Sequence, residues 1–325
     1  MDKCNLKVTI MIPTFEQEEY ILKCVYSALA QTYKNLEVIV SDDSHSDNTK
    51  NILSGISDPR FKYFKNNVNL GRVRNYRQLL YELSSGDYVI NLDGDDYFID
   101  DKFIENSISL VNSYENVVIV SAGYVSNYEN GLQKYFKLTN NINFLDGKQQ
   151  LLEWGNHPLP HLTTIYSRKH AMGIGFYSME IQSSDWESLL RLCSEGNVLL
   201  LPNYVAVWRK HEGNESIKIN IELLRRNNAL IDSVLKHWSK ILTVKEQVIW
   251  RQSMKDVLCR NSYYTIIEHG RISDLKLLVI VYGLGCFFRL IFSFKAFALL
   301  SIRIFFGKKL FSYIKNLYLL KKTGY

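Results

Sequence analysis

The chain of 325 residues contains only five prolines and five cysteines. Scarce proline, with no Ser/Thr-rich stretch and no repeat period, excludes a disordered or solenoid chain. Cys4, Cys24, Cys193, Cys259 and Cys286 are scattered, odd in number and nowhere spaced Cys-x-x-Cys. That pattern excludes a disulfide framework and a zinc site, and the thiols are expected to be reduced and packed. No Gly-x-Gly-x-x-Gly follows the first apolar run, which counts against a dinucleotide-binding oxidoreductase. Residues Met1 to Lys7 lack a basic segment followed by an apolar one, so no signal peptide is read and residence on the cytosolic side is expected. From Leu275 to Tyr325 there is no Asp or Glu.

Against these absences stand 46% apolar and 13% aromatic residues, ample for a sizeable core in one large domain or two smaller ones. The net charge of +6 is unevenly placed: residues 1–274 carry 30 Lys/Arg against 33 Asp/Glu, whereas 275–325 carry nine Lys/Arg. This basic tail is also strongly apolar, "LKLLVIVYGLGCFFRLIFSFKAFALLSIRIFF". A membrane surface suits it better than a nucleic acid, and no nucleic-acid partner is expected. Arg289, Lys295 and Arg303 break up any charge-free window of about 20 residues, which argues against a spanning helix. From Lys308 onward, Lys308, Lys315 and Lys322 recur every seven residues while Phe311, Ile314, Leu317 and Tyr318 fill another face, the pattern of an amphipathic helix. The expectation is peripheral association with the inner face of the cell membrane. The competing reading packs this helix on its own domain or on another subunit.

Residues 7–120 alternate between strand-like and helix-like runs. "KVTIMI", "LEVIVS", "FKYF", "DYVINL" and "NVVIVSA" read as strands. Tyr20, Ile21, Cys24, Val25, Ala28 and Leu29 form a helical stripe, and "SDNTKNILSGI", "RVRNYRQLLYELS" and "DKFIENSISLVNSY" supply further helices. The expected class is α/β, a mostly parallel sheet with helices on both faces. Region 121–215 is less regular, with "HPLPHLTTIY", a helix "SSDWESLLRLCSEG" and a strand "NVLLLPNYVAVW" running into "RKHEGNES". Residues 218–270 read as two helices.

In such sheets ligands bind beyond the carboxyl ends of strands, where strand order reverses. Two strands end in acids there: "LEVIVSDD" delivers Asp42 and Asp43, and "YVINLDGDD" delivers Asp93, Asp95 and Asp96. Carboxylates this crowded repel, and each costs free energy to desolvate unless something positive sits among them. Asp93-Gly94-Asp95 suits a hard divalent cation, Mg²⁺ or Mn²⁺, with Gly94 letting the backbone turn closely and a nucleotide diphosphate completing the coordination. The bland alternative is a helix N-cap, for which Asp100 and Asp101 are better placed.

"VTIMIPTFEQEEYILKCVYSALAQTYKNLEVIVSDDSHSDNT", "NVNLGRVRN", "SSGDYVINLDGDDYF" and "SSDWESLLRL", in that order and spacing, resemble the successive motifs of the family 2 glycosyltransferases, the large inverting group with the GT-A nucleotide-sugar fold. The resemblance covers about Val8 to Ser216. It implies a GT-A catalytic domain over 1–217, with a nucleotide-sugar half (1–120) and an acceptor half (121–217), followed by a C-terminal helical, membrane-associating extension over 218–325. It further implies that Asp95 and Asp96 hold the metal, that Asp93 lies near the ribose, and that Asp43, with Asp42 beside it, accepts a hydrogen bond from a uracil or thymine ring. Pro13, Thr14, Phe15 and Glu16 would flank that base, although the family often has Tyr-Asn at the last two positions and Gly-Ser where this chain has Ser44-His45. Asn69, Gly71, Arg74 and Asn75 match a loop entering a helix beside the nucleotide, where a guanidinium can meet diphosphate or an aspartate. Asp185 matches the family's base, which removes the acceptor hydroxyl's proton. The family often has Glu before that Asp; Ser184 stands there, leaving Glu187 as a rival, and an N-cap role competes for Asp185. His211, next to Arg209 and Lys210, matches a residue that reaches the metal or diphosphate. His157 and His161 are expected near the acceptor, and Trp154 and Trp186 serve either as sugar platforms or as core.

The expected activity is a metal-dependent inverting transfer of a hexosyl or N-acetylhexosaminyl group from a UDP- or dTDP-sugar to a glycan. That acceptor is lipid-linked if the tail binds membrane, as in bacterial surface-polysaccharide assembly. Metal-dependent nucleotidyl transfer also uses paired carboxylates and is the alternative. A receiver-like phospho-switch needs only about one domain length, whereas the motifs here continue past residue 200.

Overall fold

The computed structural model describes residues 5–293, 296–304 and 307. The chain runs through β1 (Val8–Thr14), α1 (Ile21–Leu29), β2 (Leu36–Asp42), α2 (Asn48–Leu53), β3 (Phe61–Lys65), α3 (Arg72–Gln78) and β4 (Tyr88–Asn91). It continues through β5 (Tyr97–Phe98), α4 (Phe103–Ser113), β6 (Val117–Tyr128), β7 (Gln133–Phe136), β8 (Asn143–Leu145), α5 (Gly147–Leu152), β9 (Thr164–Ser167), α6 (Arg168–Gly173), α7 (Ser184–Leu192) and β10 (Asn197–Lys210). The helices α8 (Ile221–Asn228), α9 (Leu230–Trp238), α10 (Val244–Glu268), α11 (Leu275–Tyr282) and α12 (Leu284–Ile291) follow, with a further helix over Ala296–Ile304. Two compact units result, one comprising 1–127, 135–180 and 184–209, the other 128–134, 181–183 and 210–325.

In the first unit every residue of β1, β2 and β4 is buried. Strands buried along their whole length in this way are covered on both faces. α1 contributes Ile21, Cys24, Val25 and Ala28 to that cover, and α4 contributes Phe103, Ile104, Ile108 and Val111. Each fully buried aliphatic or aromatic side chain of that size contributes about 1.5–3 kcal/mol. The sheet order is β3-β2-β1-β4-β9-β6-β10-β5. β1 lies parallel to β2, with Thr14 opposite Asp42, and parallel to β4, with Met11 opposite Asn91. Strand order therefore reverses at β1/β4, and a crevice opens beyond their carboxyl ends. The parallel part stops at β4. β9 runs antiparallel to both β4 and β6, and β5 and β8 run antiparallel to β10, so the α/β sheet is mixed rather than mostly parallel.

Glu37 stitches the opposite end of the sheet. Its buried carboxylate accepts hydrogen bonds from Thr9 Oγ1 (2.6 Å), Ser85 N–H (2.8 Å), Lys62 Nζ (2.8 Å) and Lys7 Nζ (3.0 Å). Burial alone would raise its pKa, but the Lys62, Thr9, Ser85 and Lys7 donors outweigh it and hold the group at about 2.

The second unit is helical. Where the sequence suggests two helices over 218–270 there are three, because the chain breaks at Ala229 between α8 and α9. α10 starts at a reciprocal capping box between Thr243 and Glu246. Arg289 pairs with Asp256 at 2.7 Å, and buried Arg303 donates to the Ile267 carbonyl, so these two basic residues of the tail are engaged within the unit. Leu284, Phe288 and Phe292, successive turns of α12 and its end, are more than half or about half exposed. Among the described residues no single helix is long and apolar enough to cross a membrane. The amphipathic helix expected from Lys308 onward lies outside the described residues, as does Cys4. Cys24, Cys193, Cys259 and Cys286 are free and buried.

Candidate active site

The acids gather where β1, β2 and β4 end. Adjacent Asp42 and Asp43 divide the work at the first of these places. Asp42 is fully buried and ties β2 to β3: Oδ2 accepts from the Tyr63 hydroxyl (2.7 Å) and Lys65 Nζ (3.2 Å), and Oδ1 from Ser44 N–H (2.9 Å). Asp43 folds the next loop around itself. Its Oδ1 accepts from Leu70 N–H (2.8 Å) and Asn66 Nδ2 (3.0 Å), and its Oδ2 from Gly71 N–H (2.8 Å). Asn69 closes the same loop by donating to the Asp43 carbonyl at 3.0 Å. Gly71, at φ 80°, takes a left-handed conformation that other residues adopt rarely and launches α3 from there. Between these loops and the acidic turn runs the segment after β1. Glu16 N–H donates to Ser44 Oγ (2.8 Å), and exposed Phe15 meets the His45 ring edge-on at 5.7 Å.

α3 carries the cation that sequence reasoning did not single out. Arg72 stands over the Tyr76 ring at 5.6 Å, one helical turn on. Arg74, the residue singled out instead, pairs with exposed Glu180 at 2.6 Å. Burial works against the charge on Arg72, but Tyr76, Asp185 and Asp93 outweigh it and raise its pKa.

At the acidic turn Gly94 N–H donates to the Pro13 carbonyl (3.1 Å). A Cβ at Gly94 would come within 2.6 Å of Gln17 Oε1 and 2.8 Å of Thr14 Oγ1, so the position excludes any side chain without displacement. Asp93 Oδ1 accepts from Asn91 Nδ2 (2.9 Å) and the Tyr76 hydroxyl (3.0 Å). Burial pushes its pKa up; His161 and Arg72 pull it down and Asp95 adds to the rise. Asp95 and Asp96 are both buried, and Asp96 Oδ1 accepts from Arg209 N–H on β10 at 2.9 Å. Among the described residues no three His, Cys, Asp or Glu side chains converge as a metal cage.

Asp185 lies half-buried in the first turn of α7, which starts at Ser184, so it is inside the helix rather than its cap. Its carboxylate acts on Arg72, His161 and Tyr76. Glu187 has a different task. It is fully buried and bound at both oxygens by Arg191, Nε to Oε1 at 2.6 Å and Nη2 to Oε2 at 2.9 Å. Arg191 also donates to the carbonyls of Ile174 and Gly175, fixing the preceding loop. The rival base is a structural ion pair.

His161 belongs to this cluster: its ring centroid is 5.3 Å from that of Tyr76, and burial lowers its pKa against the pull of Asp185 and Asp93. His157 instead donates from Nδ1 to the Leu138 carbonyl (2.9 Å). Trp154 is core, and half-exposed Trp186 meets it edge-on at 5.5 Å. His211 is in the second unit, where Nδ1 accepts from Gly213 N–H (3.2 Å) and Nε2 faces Asn214 Nδ2 at 3.1 Å.

A mixed α/β sheet with an acidic turn at its switch point defines a GT-A type of fold, and the comparisons with known proteins carry the assignment further. Residues 9–175 match the model of Glycosyl transferase family 2, and the chain belongs to that family. It is 30% identical over 239 residues, 72% of this chain and 90% of the other, to the Escherichia coli UDP-Glc:alpha-D-GlcNAc-diphosphoundecaprenol beta-1,3-glucosyltransferase WfaP. Over a shorter stretch, 28% of this chain and 30% of the other, it is 39% identical to the Campylobacter jejuni GalNAc(5)-diNAcBac-PP-undecaprenol beta-1,3-glucosyltransferase. Among solved structures, S. aureus TarS 1–349 in complex with UDP-GlcNAc superposes with a TM-score of 0.56 at 14% identity, covering 85% of this chain and 90% of that one. The Pyrobaculum calidifontis mannosyltransferase PcManGT with GDP-Man and Mn²⁺ gives 0.57 at 13% identity, covering 98% and 86%. At such identities the two structures attest the fold.

Proposed function

We propose that this chain is an inverting glycosyltransferase that moves a sugar from a UDP-linked donor, or a dTDP-linked one, to a lipid-linked glycan at the inner face of the membrane, in bacterial surface-polysaccharide synthesis. The observation that carries this reading is that Arg72 stands over the ring of Tyr76 at 5.6 Å while the Tyr76 hydroxyl donates to Asp93 of the acidic turn at 3.0 Å, with Asp185 of a separate helix also favouring the charge on that guanidinium. That arrangement supplies a place for a diphosphate and a carboxylate for the acceptor in one crevice.

In the mechanism, the loop of Pro13 to Glu16 flanks the base and Asp43 accepts from its imide. A carboxylate has about four lone-pair sites, and three are taken by Asn66, Leu70 and Gly71, which leaves room for one more donor. Asp93, oriented by Tyr76 and Asn91, receives the ribose. Asp185 takes the proton of the acceptor hydroxyl as its oxygen attacks the anomeric carbon from the face opposite the diphosphate, and the bond from that carbon to the diphosphate oxygen breaks. Arg72 places positive charge where negative charge builds up on the departing group.

The acidic turn also suits a divalent cation. Such ions are often held by one or two carboxylates with substrate phosphates and water completing the shell, and the acidic turn offers two buried carboxylates, Asp95 and Asp96. Asp95 and Asp96 would hold it; when bound it supplies charge to stabilise the leaving diphosphate.

The β-linkages named for the E. coli and C. jejuni relatives support inversion, because attack opposite the leaving group turns an α-linked donor into a β-linked product. Their undecaprenol-linked acceptors, together with exposed Phe288 and Phe292 and the basic tail, support work at a membrane surface. The test is a panel of nucleotide sugars, UDP-glucose first, with and without Mn²⁺ or Mg²⁺ and with a diphosphoundecaprenol-linked GlcNAc acceptor. Acceptor-dependent release of UDP is the expected result. Pyrophosphate release from a nucleoside triphosphate, with no UDP from any sugar donor, would favour nucleotidyl transfer instead.

A further inference from the structure

Behind the acidic turn lies a chain of hydrogen-bonded side chains whose farther members, His161, Tyr177 and Tyr166, the mechanism above does not use. Asn91 Nδ2 donates to Asp93 Oδ1 at 2.9 Å and faces His161 Nδ1 at 3.5 Å. His161 Nε2 meets the Tyr177 hydroxyl at 2.6 Å, and that hydroxyl lies 3.2 Å from the hydroxyl of Tyr166. The directions follow from chemistry. An ionised carboxylate only accepts, so the Asn91 amide nitrogen must face Asp93, which leaves Asn91 Oδ1 buried without a partner in the protein. The same nitrogen then faces Nδ1 as a donor, so Nδ1 holds a lone pair and the imidazole proton sits on Nε2. Tyr177 receives that proton's hydrogen bond and passes its own to Tyr166.

Tyr177 is held at φ 57°, a left-handed conformation that a bulky side chain seldom takes. Its backbone accounts for this. Tyr177 N–H donates to Ser188 Oγ at 2.8 Å, and Ser188 Oγ donates to Glu187 at 3.1 Å. Ser188 is one turn along α7 from Asp185. Strain of this kind persists only where surrounding structure over-determines it, and here the two anchors of the strained residue lead one to each side of the site: the side chain to the acidic turn, the backbone to the helix bearing the base.

We infer that His161 and Tyr177 are positioning residues, a strut that fixes the spacing between the donor-binding Asp93 and the base Asp185. This inference rests on the function proposed above. A hydroxyl attack tolerates little misplacement, since a shift of about 1 Å can cost about 100-fold in rate. Loss of the strut should therefore lower turnover without loosening the donor.

The test uses the full chain with UDP-glucose and the lipid-linked acceptor. Tyr177→Phe keeps the ring and removes both hydroxyl bonds; the expected result is a kcat per folded molecule lower by about tenfold or more with the donor Kd unchanged, while the melting temperature falls only by the few degrees that one unsatisfied buried donor costs. His161→Gln, whose amide nitrogen can stand where Nε2 stands, recovers most of the activity that His161→Ala loses. In ¹⁵N-labelled protein the His161 ring shows the Nε2–H tautomer. Wild-type kcat in Tyr177→Phe, a fall in donor affinity and melting temperature parallel to kcat, equal losses in the Gln and Ala variants, or an Nδ1–H tautomer would each overturn the strut. Asp185→Asn run alongside separates the two levels: full turnover there overturns the proposed mechanism itself, whereas its loss beside an unimpaired Tyr177→Phe overturns only the strut.

Discussion

Asp185 and Glu187 sit two residues apart at the start of one helix, and substituting each by its amide should give opposite phenotypes. Glu187→Gln removes the charge that neutralises Arg191, whose side chain is 6% exposed. Breaking a buried pair by removing one partner costs about 3–5 kcal/mol. The lower end applies here, because the amide oxygen still accepts from Arg191 and the guanidinium keeps the Ile174 and Gly175 carbonyls. At about 2–4 °C per kcal/mol for a unit of this size, the midpoint of thermal unfolding should fall by roughly 6–12 °C, while turnover per folded molecule stays within a few-fold of wild type. Asp185→Asn should do the reverse. It forfeits a first-turn carboxylate's interaction with the helix dipole, about 0.3–1 kcal/mol, a loss of at most a few degrees. Without a general base, turnover should drop by about 10²- to 10⁴-fold, with UDP-glucose binding intact by calorimetry. Melting curves, UDP release and donor titration on the two proteins make a single experiment. A cold, well-folded but inactive Glu187→Gln beside an active Asp185→Asn would refute the division of labour.

Asp95→Asn is expected to lose metal-stimulated UDP release and metal-dependent donor binding; an unaltered Mn²⁺ titration would remove Asp95 from the metal site. Arg72→Ala should cut kcat by about 10-fold or more, whereas Arg74→Ala, which releases only the exposed Glu180 pair, should leave stability and kcat essentially unchanged; equal effects would show that α3 presents both. Glu37 should make the fold acid-sensitive. Its native pKa is depressed from 4.5 to about 2, so its stabilisation is present above about pH 4.5 and is lost as pH falls through about 2, a contribution of about 3 kcal/mol. Urea midpoints at pH 7 and pH 3 should drop more for wild type than for Glu37→Gln, and parallel drops would sink this assignment. Phe288→Asp with Phe292→Asp should reduce co-flotation with anionic vesicles; unchanged flotation would place the membrane contact elsewhere.

The parallel half of the sheet was legible because β1, β2 and β4 carry apolar residues on both faces, Ile10, Met11 and Ile12 or Val38, Ile39 and Val40 in succession, as two-sided burial requires. The antiparallel half was not, since β9 has four residues and its direction depends on where the irregular segment before it returns. The acidic turn announced itself by charge density. Arg72 did not: Arg72 and Arg74 share one motif and differ by about 200° around a helix, so which of them turns inward depends on the phase set at Gly71, and that phase is fixed by the hydrogen bonds that Leu70 and Gly71 N–H donate to Asp43, just past β2. Glu187 and Arg191 stand at i and i+4, the spacing of an ordinary surface pair. Only the loop carrying Ile174 and Gly175, folded over them, makes the pair buried.

Asp43 shows why site and scaffold are hard to separate in a chain like this. A carboxylate proposed to read a base must be held in place, and backbone N–H donors do that. The donors that hold it, Leu70 and Gly71, are the residues that set the start of α3. The hydrogen bonds that fix Asp43 therefore also set the phase that turns Arg72 over Tyr76, on the side of Asp93 and Asp185. In the proposed mechanism one buried carboxylate thus couples the two ends of the donor, base and diphosphate, through three consecutive residues, Leu70, Gly71 and Arg72.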